Sequence, residues 1–131
     1  MTVGPVTRDT ATAEFFDATA AGKFLLRRCP EGHFSEPQAA QCTACASTSL
    51  ASEPARGGAT LVSWAVAWGK PAGDGEPSRT VLVIAELDEG PWWWSQLVDA
   101  DPANLAVGQR LRIEFRRADA EHETVPVFAL A

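Results

Sequence analysis

The sequence predicts a mostly β protein: a short N-terminal helix, a small cysteine-bearing module, and a C-terminal barrel of five strands. Three observations predict it. The three cysteines, Cys29, Cys42 and Cys45, lie close together in a stretch rich in Pro, Gly, Ser and Gln that has no helical period. From Ala59 onward, five short apolar or alternating segments are separated by turn residues. The helical pattern precedes the cysteines. At 131 residues the chain is one ordinary domain, or one with a small appendage.

The elements follow in order. Met1 to Asp9 reads as a loose arm. Thr10 or Thr12 caps a helix through Glu14, Phe15, Phe16, Asp17 and Ala18 to Ala21, and Gly22 ends it. Phe15 with Ala18, and Phe16 with Ala20, give this helix an apolar side. Lys23 to Arg28 is a short extended segment that leads into Cys29. Ser47 to Gly58 reads as a linker broken by Pro54, Gly57 and Gly58.

In the first barrel strand Val62, Trp64, Val66 and Trp68 alternate with Leu61, Ser63, Ala65 and Ala67, a period of two. Gly69 to Ser78 is a loop. Arg79 to Leu87 is a second, mostly buried strand, and Asp88 to Pro91 make a hairpin turn. Trp92 to Val98 is the third strand, and Asp99 to Asn104 form a helical turn. Gln109 to Arg116 is the fourth strand, with Leu111, Ile113 and Phe115 facing inward. Val125 to Leu130 is the fifth, placed at an edge by Pro126. Five strands in this arrangement match a five-stranded Greek-key barrel, the OB-fold. A five- or six-stranded sandwich fits the periodicity nearly as well. The expected divisions are 1–28 for the arm and helix, 29–52 for the cysteine module and 53–131 for the barrel.

The cysteine module is too polar to hold itself together by apolar burial, so something else must fix it. Cys42-Thr43-Ala44-Cys45 is a C-x-x-C knuckle. A zinc ribbon usually pairs two knuckles, because tetrahedral zinc takes four S or N ligands. The upstream half here is Cys29-Pro30-Glu31-Gly32-His33, and His33 stands where a second cysteine is expected nearby. Cys29, His33, Cys42 and Cys45 are therefore the candidate ligands of one structural zinc. The competing reading is a decayed ribbon with three thiols and no metal. No βαβ pattern surrounds the knuckle to support a redox role. A catalytic zinc would need an open position beyond these four.

Composition narrows the function classes. The net charge of −6 disfavours nucleic acid, whose binding rests largely on Lys and Arg. The sequence has neither a signal-peptide pattern nor an apolar run long enough to span a membrane, so a cytoplasmic location is expected. There is no G-x-S-x-G elbow, no P-loop and no dinucleotide fingerprint. Of the two histidines, His33 is assigned to the ribbon and His122 sits in a charged loop. No catalytic residue is assigned.

Several segments, in this order and spacing, resemble the acyl-CoA-associated zinc-ribbon OB-fold family. They are FFDATAAGKFLLRRC (Phe15 to Cys29), CTAC (Cys42 to Cys45), Gly57-Gly58, VIAELDEG (Val83 to Gly90), QLVDADPANLAVGQRLRIEF (Gln96 to Phe115) and PVFAL (Pro126 to Leu130). The resemblance implies a rubredoxin-like zinc ribbon ahead of an OB-fold, with a structural zinc. It also implies an accessory subunit that complexes with a thiolase-fold enzyme (a thiolase, an acyltransferase or a retro-aldolase) and supports its acyl-CoA chemistry. Steroid side-chain degradation is one pathway it implies. Two departures from the family pattern are the missing ribbon cysteine and the Trp92-Trp93-Trp94 run.

Five tryptophans offer an interface. In a strand Trp92 and Trp94 point to one face and Trp93 to the other. Trp64 and Trp68 share a face of the first strand and are expected to join the patch, where a partner surface or an acyl-CoA would pack. The competing reading has the core on one face and a helix or the ribbon covering the other. Arg110 and Arg112 alternate with the inward residues of the fourth strand and are candidate contacts for CoA phosphates. Their competing reading is a solvated surface. Two alternatives to the accessory subunit stand beside it: a stand-alone OB-fold nucleic-acid binder, and an independent enzyme such as a CoA thioester hydrolase.

Overall fold

The computed structural model describes residues 3–69, 75 and 77–131. Most of the expected Gly69–Ser78 loop lies outside the described residues. The chain forms one helix, a three-stranded sheet and a closed five-stranded barrel.

Helix α1 runs Ala13–Ala20. Thr12 does not cap it as expected. Its hydroxyl turns back to Asp9, whose carboxylate accepts from the Thr12 backbone N–H at 2.9 Å while the Asp9 N–H donates to Thr12 Oγ1 at 3.0 Å. This reciprocal pair is a capping box set one turn earlier, with Asp9 in the capping role. Gly22 ends the helix at φ +76. Its N–H donates to Thr19 and the Lys23 N–H to Ala18, the paired bonds of a Schellman motif. Thr19 is buried, and its hydroxyl donates to the carbonyl of Thr124, just ahead of the last strand, at 2.6 Å, which fastens the helix there.

Strands β1 (Leu25–Arg28), β2 (Phe34–Ser35) and β3 (Ala51–Pro54) form an antiparallel sheet in the order β2-β1-β3. The expected linker thus contains a strand. Its sequence, ASEP, carries no apolar alternation, so periodicity could not reveal it. Polar contacts to β1 hold it: Arg28 forks onto Glu53 at 2.9 and 3.0 Å, and Arg27 donates to Ser52 at 3.1 Å. Both arginines are spent on this sheet.

The barrel comprises β4 (Gly58–Trp68), β5 (Arg79–Leu87), β6 (Trp92–Leu97), β7 (Arg110–Arg116) and β8 (Val125–Leu130), ordered β4-β5-β6-β8-β7 and closed by β7 on β4. That order is the Greek-key barrel, so the sandwich alternative falls. A 3-10 turn at Pro102–Asn104 bridges β6 and β7. The expected alternation of β4 holds only in part. A bulge between Leu61 and Ser63 inserts Val62 and shifts the phase by one residue. Ala59 and Leu61 face inward before the bulge, and Trp64, opposite Val83, packs on the core after it. Strand β8 is not an edge. It pairs along its length with β7 and by the single parallel pair Leu97↔Phe128 with β6. Pro126, which lacks an N–H, lies outside that one pair on β8.

One core joins the modules. Phe24 and Leu26, leading into and within β1, are buried with Leu61, Val81, Val83, Leu97, Leu111 and Phe128 of the barrel. No helix among the described residues is long and apolar enough to cross a membrane.

Candidate metal centre and tryptophan face

The structure brings Cys29, His33, Cys42 and Cys45 together, with their ligand atoms all within 4.8 Å of one another. Two tight turns place them. In the first, the Gly32 N–H donates to the Cys29 carbonyl at 2.9 Å, and the His33 N–H donates to Cys29 Sγ at 3.3 Å. In the second, the Ala46 N–H donates to the Cys42 carbonyl at 2.9 Å and the Ala44 N–H to Cys42 Sγ at 3.4 Å. Ala46 takes φ 62, a left-handed value uncommon outside glycine, to close this turn.

The donor spacing tests whether a metal fits. Metal–ligand distances of about 2.3 Å to sulfur and about 2.05 Å to nitrogen give tetrahedral edges near 3.8 Å (S–S) and 3.6 Å (S–N). Cys45 Sγ stands 3.7 Å from Cys29 Sγ, and His33 Nδ1 stands 3.4 Å from Cys29 Sγ. The cluster could hold a metal ion. Backbone N–H groups, Cys45's foremost and then Ala44's, together with the Cys45 and Cys29 thiols, pull Cys42 down to about 6. The Ser47 N–H favours a Cys45 thiolate, but Cys42, burial and Cys29 outweigh it and push that thiol up. Neighbouring thiolates repel, and a cation between them removes the conflict.

The tryptophans divide between two faces of the sheet. Trp93 faces inward opposite Ala85, its ring 4.9 Å from Phe24 and 6.1 Å from Phe15. Trp92 and Trp94 lie outside, 58% and 67% exposed, opposite Glu86 and Ile84. Outward Leu82 and Ile84 of β5, with Ser63 and Ala65 of β4, extend that face beside Trp94. Trp64 and Trp68 do not join Trp92 and Trp94 on it. Their register partners are Val83 and Arg79, and Trp68 is 67% exposed at the far end of β4. The bulge in β4 separates them from the outer patch.

Arg110 and Arg112 project outward as expected, but both are engaged. Arg110 forks onto Asp88 at 2.8 and 2.9 Å and donates to Thr60 at 3.0 Å. Arg112 donates to Glu114 at 2.7 Å and to the Leu130 carbonyl. Glu114 also receives Arg116, which reaches Asp99 at 2.6 Å. Arg110 holds Asp88 below the usual carboxylate range, and Arg112, with Arg116, does the same for Glu114. Each arginine on the outer face of the strand, Arg110, Arg112 and Arg116, is paired with a carboxylate.

Sequence reasoning left Asp88 and Glu89 as turn acids. In the fold they clamp the hairpin to the start of the barrel. Glu89 Oε2 accepts the Arg56 backbone N–H at 2.7 Å, and the Asp88 N–H donates to the Gly58 carbonyl at 3.1 Å. A Cβ on Gly58 would strike Asp88 Oδ2 and lie 2.7 Å from Arg110, so a side chain there would have to push the Asp88–Arg110 pair aside. Gly57-Gly58 ahead of a strand was the available sign of that close approach.

Comparison with known proteins agrees with this architecture. Residues 52–116 match the family described as ChsH2, C-terminal OB-fold domain. A DUF35 domain-containing scaffold protein of Pyrococcus furiosus is 24% identical over 90 residues, covering 69% of this chain and 66% of that protein, just under two thirds of its length. Among solved structures, the Ltp2-ChsH2(DUF35) aldolase matches with a TM-score of 0.77 at 26% identity, over 94% of this chain and 96% of that one. A DUF35-family protein of unknown function from Sulfolobus solfataricus matches with a TM-score of 0.62 at 12% identity, over 93% and 86% of the two chains, and shares the fold.

Proposed function

Because the chain belongs to the ChsH2/DUF35 OB-fold family, we propose that it is a non-catalytic accessory subunit of a partner enzyme. The observation that carries this reading is the match along nearly the whole chain to a ChsH2(DUF35) component of an aldolase. The scaffold description of the Pyrococcus relative supports it. In the finer reading the partner has a thiolase fold and acts on an acyl-CoA, with steroid side-chain degradation as one candidate pathway. Zinc is the metal of Cys29, His33, Cys42 and Cys45. It closes the polar ribbon as a structural ion, and all four positions are taken by protein. The exposed Trp92 and Trp94 form the docking face, since tryptophan offers large apolar area at low entropic cost.

Within this reading Arg110 and Arg112 meet CoA phosphates by exchanging Asp88 and Glu114 for phosphate oxygens. Replacing both with alanine should weaken CoA binding in calorimetry, and an unchanged affinity removes the assignment. The nucleic-acid reading has less support, because the outer arginines are paired with carboxylates and the chain carries −6. A gel shift with single-stranded DNA at low salt tests it. The accessory reading is tested by affinity isolation of the tagged chain from its host with mass spectrometry of what accompanies it. A thiolase-fold enzyme in near-stoichiometric amount is expected. Isolation of the chain alone, in cells expressing the pathway, counts against it.

A further inference from the structure

Strands β6 and β8 share a single ladder pair, Leu97↔Phe128, and the Ser95 hydroxyl of β6 donates to the Pro126 carbonyl of β8. A cleft of about 430 Å³ lies against this seam, bordered by α1 and the N-terminal arm. We propose that this cleft is a binding site for a neutral, mostly apolar small molecule. The inference does not rest on the accessory-subunit reading, although Trp94 borders both the cleft and the proposed docking face.

Three features carry it. The first is size: the volume falls within the roughly 300–1,000 Å³ typical of small-molecule sites and far exceeds the water-sized voids of a packed interior. The second is chemistry. Phe15, Phe16, Trp93, Trp94, Val6 and Val127 supply aromatic and aliphatic walls, and no lining residue is Asp, Glu, Lys, Arg or His. A charged ligand would lose its hydration with no opposite charge to replace it. The hydroxyls of Ser95 and Thr12 are already bonded, to the Pro126 carbonyl at 2.6 Å and to Asp9 at 2.8 Å, and the amides of Gln38 and Gln96 are the other polar side chains of the lining. With uncharged walls that are largely apolar, the site favours neutral ligands that are mostly apolar.

The third is preorganisation. The arm wall, Val3 to Val6, is fixed in place. The Glu123 N–H donates to the Val6 carbonyl at 2.7 Å, and Arg8 ties Asp17 at 2.6 Å to Glu123 at 2.9 Å. Val3 packs on Val98, Val127 and Ala129. The arm, α1 and the barrel are thus held around the opening before any ligand arrives, which lowers the ordering cost of binding.

The test titrates the full chain with N-phenyl-1-naphthylamine, a neutral apolar fluorophore, and with the anionic 1-anilinonaphthalene-8-sulfonate. Saturable binding of the neutral probe at one site per chain is expected, with the anion about tenfold weaker or worse. Trp94→Ala removes a wall and should weaken the neutral probe by about tenfold. Trp92→Ala, exposed on the same strand face but outside the cleft, should leave it unchanged. Val6→Asp should abolish binding, with thermal melts confirming that each variant folds. Non-saturable binding, equal losses in both tryptophan variants, or equal affinity for the two probes would overturn the proposal.

Discussion

Phe24 is the residue on which the union of ribbon and barrel depends. It lies between the end of α1 and the start of β1, is 2% exposed, and accepts the Ala55 N–H through its carbonyl at 2.8 Å. Its ring meets Trp93 at 4.9 Å and Phe15 at 5.7 Å, both edge-on. Phe24→Ala removes the ring from a site whose far wall is a closed barrel and cannot collapse inward. A buried Phe→Ala change costs roughly 3–5 kcal/mol, and limited collapse places this one near 4. With a urea slope of about 2 kcal/mol/M, the midpoint should fall by roughly 2 M. Urea unfolding followed by circular dichroism and tryptophan fluorescence gives the value. Val107→Ala, at a residue 71% exposed, is the control and should stay within about 0.5 kcal/mol. Because Phe24 and Leu26 share one core with the barrel, the amides of β1 and of β5 should exchange with similar opening free energies. A loss below about 1 kcal/mol for Phe24→Ala, or ribbon amides that open far more readily than barrel amides, would refute the single-core reasoning.

Other predictions follow from the sites. Purified without chelator, the chain should carry about one zinc, and Cys29→Ser should lose it in elemental analysis; a metal-free wild type would remove the metal assignment. Trp92→Ala should leave stability within about 0.5 kcal/mol, as suits an exposed side chain, yet weaken partner association by about thirtyfold in a direct binding assay. Asp88 is held low by Arg110, so its contribution to stability is present above its unfolded value, near 3.9, and is lost as pH falls through the lower folded value. Asp88→Asn should remove that part of the acid dependence in urea melts between pH 7 and pH 2. Gly58→Ala should destabilise by displacing Asp88 and Arg110, and the loss should shrink when Asp88→Asn is already present, as a double-mutant cycle would show.

The barrel was legible because its apolar residues carry the strand period. Val81, Val83, Ala85 and Leu87 alternate inward without interruption, and Leu111, Ile113 and Phe115 repeat the pattern. The cluster of four candidate donors was legible because a C-x-x-C knuckle and tetrahedral chemistry demand a fixed number of partners, and His33 was the nearby one. Strand β3 was not legible, since its pairing rests on Arg27 and Arg28 some two dozen residues earlier rather than on its own pattern. The bulge at Val62 left no mark either, because Val, Ser and Trp suit either phase. Arg110 is engaged by Asp88, 22 positions earlier, a pairing that only the fold creates, whereas Arg112 is engaged by Glu114, which follows it by two positions on the same strand face. The cleft beside Trp93 exists because three separate segments converge, which no single stretch of sequence encodes.

The central claim is that chemistry belongs to a partner and this chain supports it. Once the partner enzyme is isolated, acyl-CoA turnover should be measured with the chain alone, the partner alone and the two combined at equal concentration. The account predicts no turnover by the chain alone and a marked rise over the partner alone when both are present. Thioester turnover by the pure chain, or a partner whose rate is the same with and without it, would contradict the account.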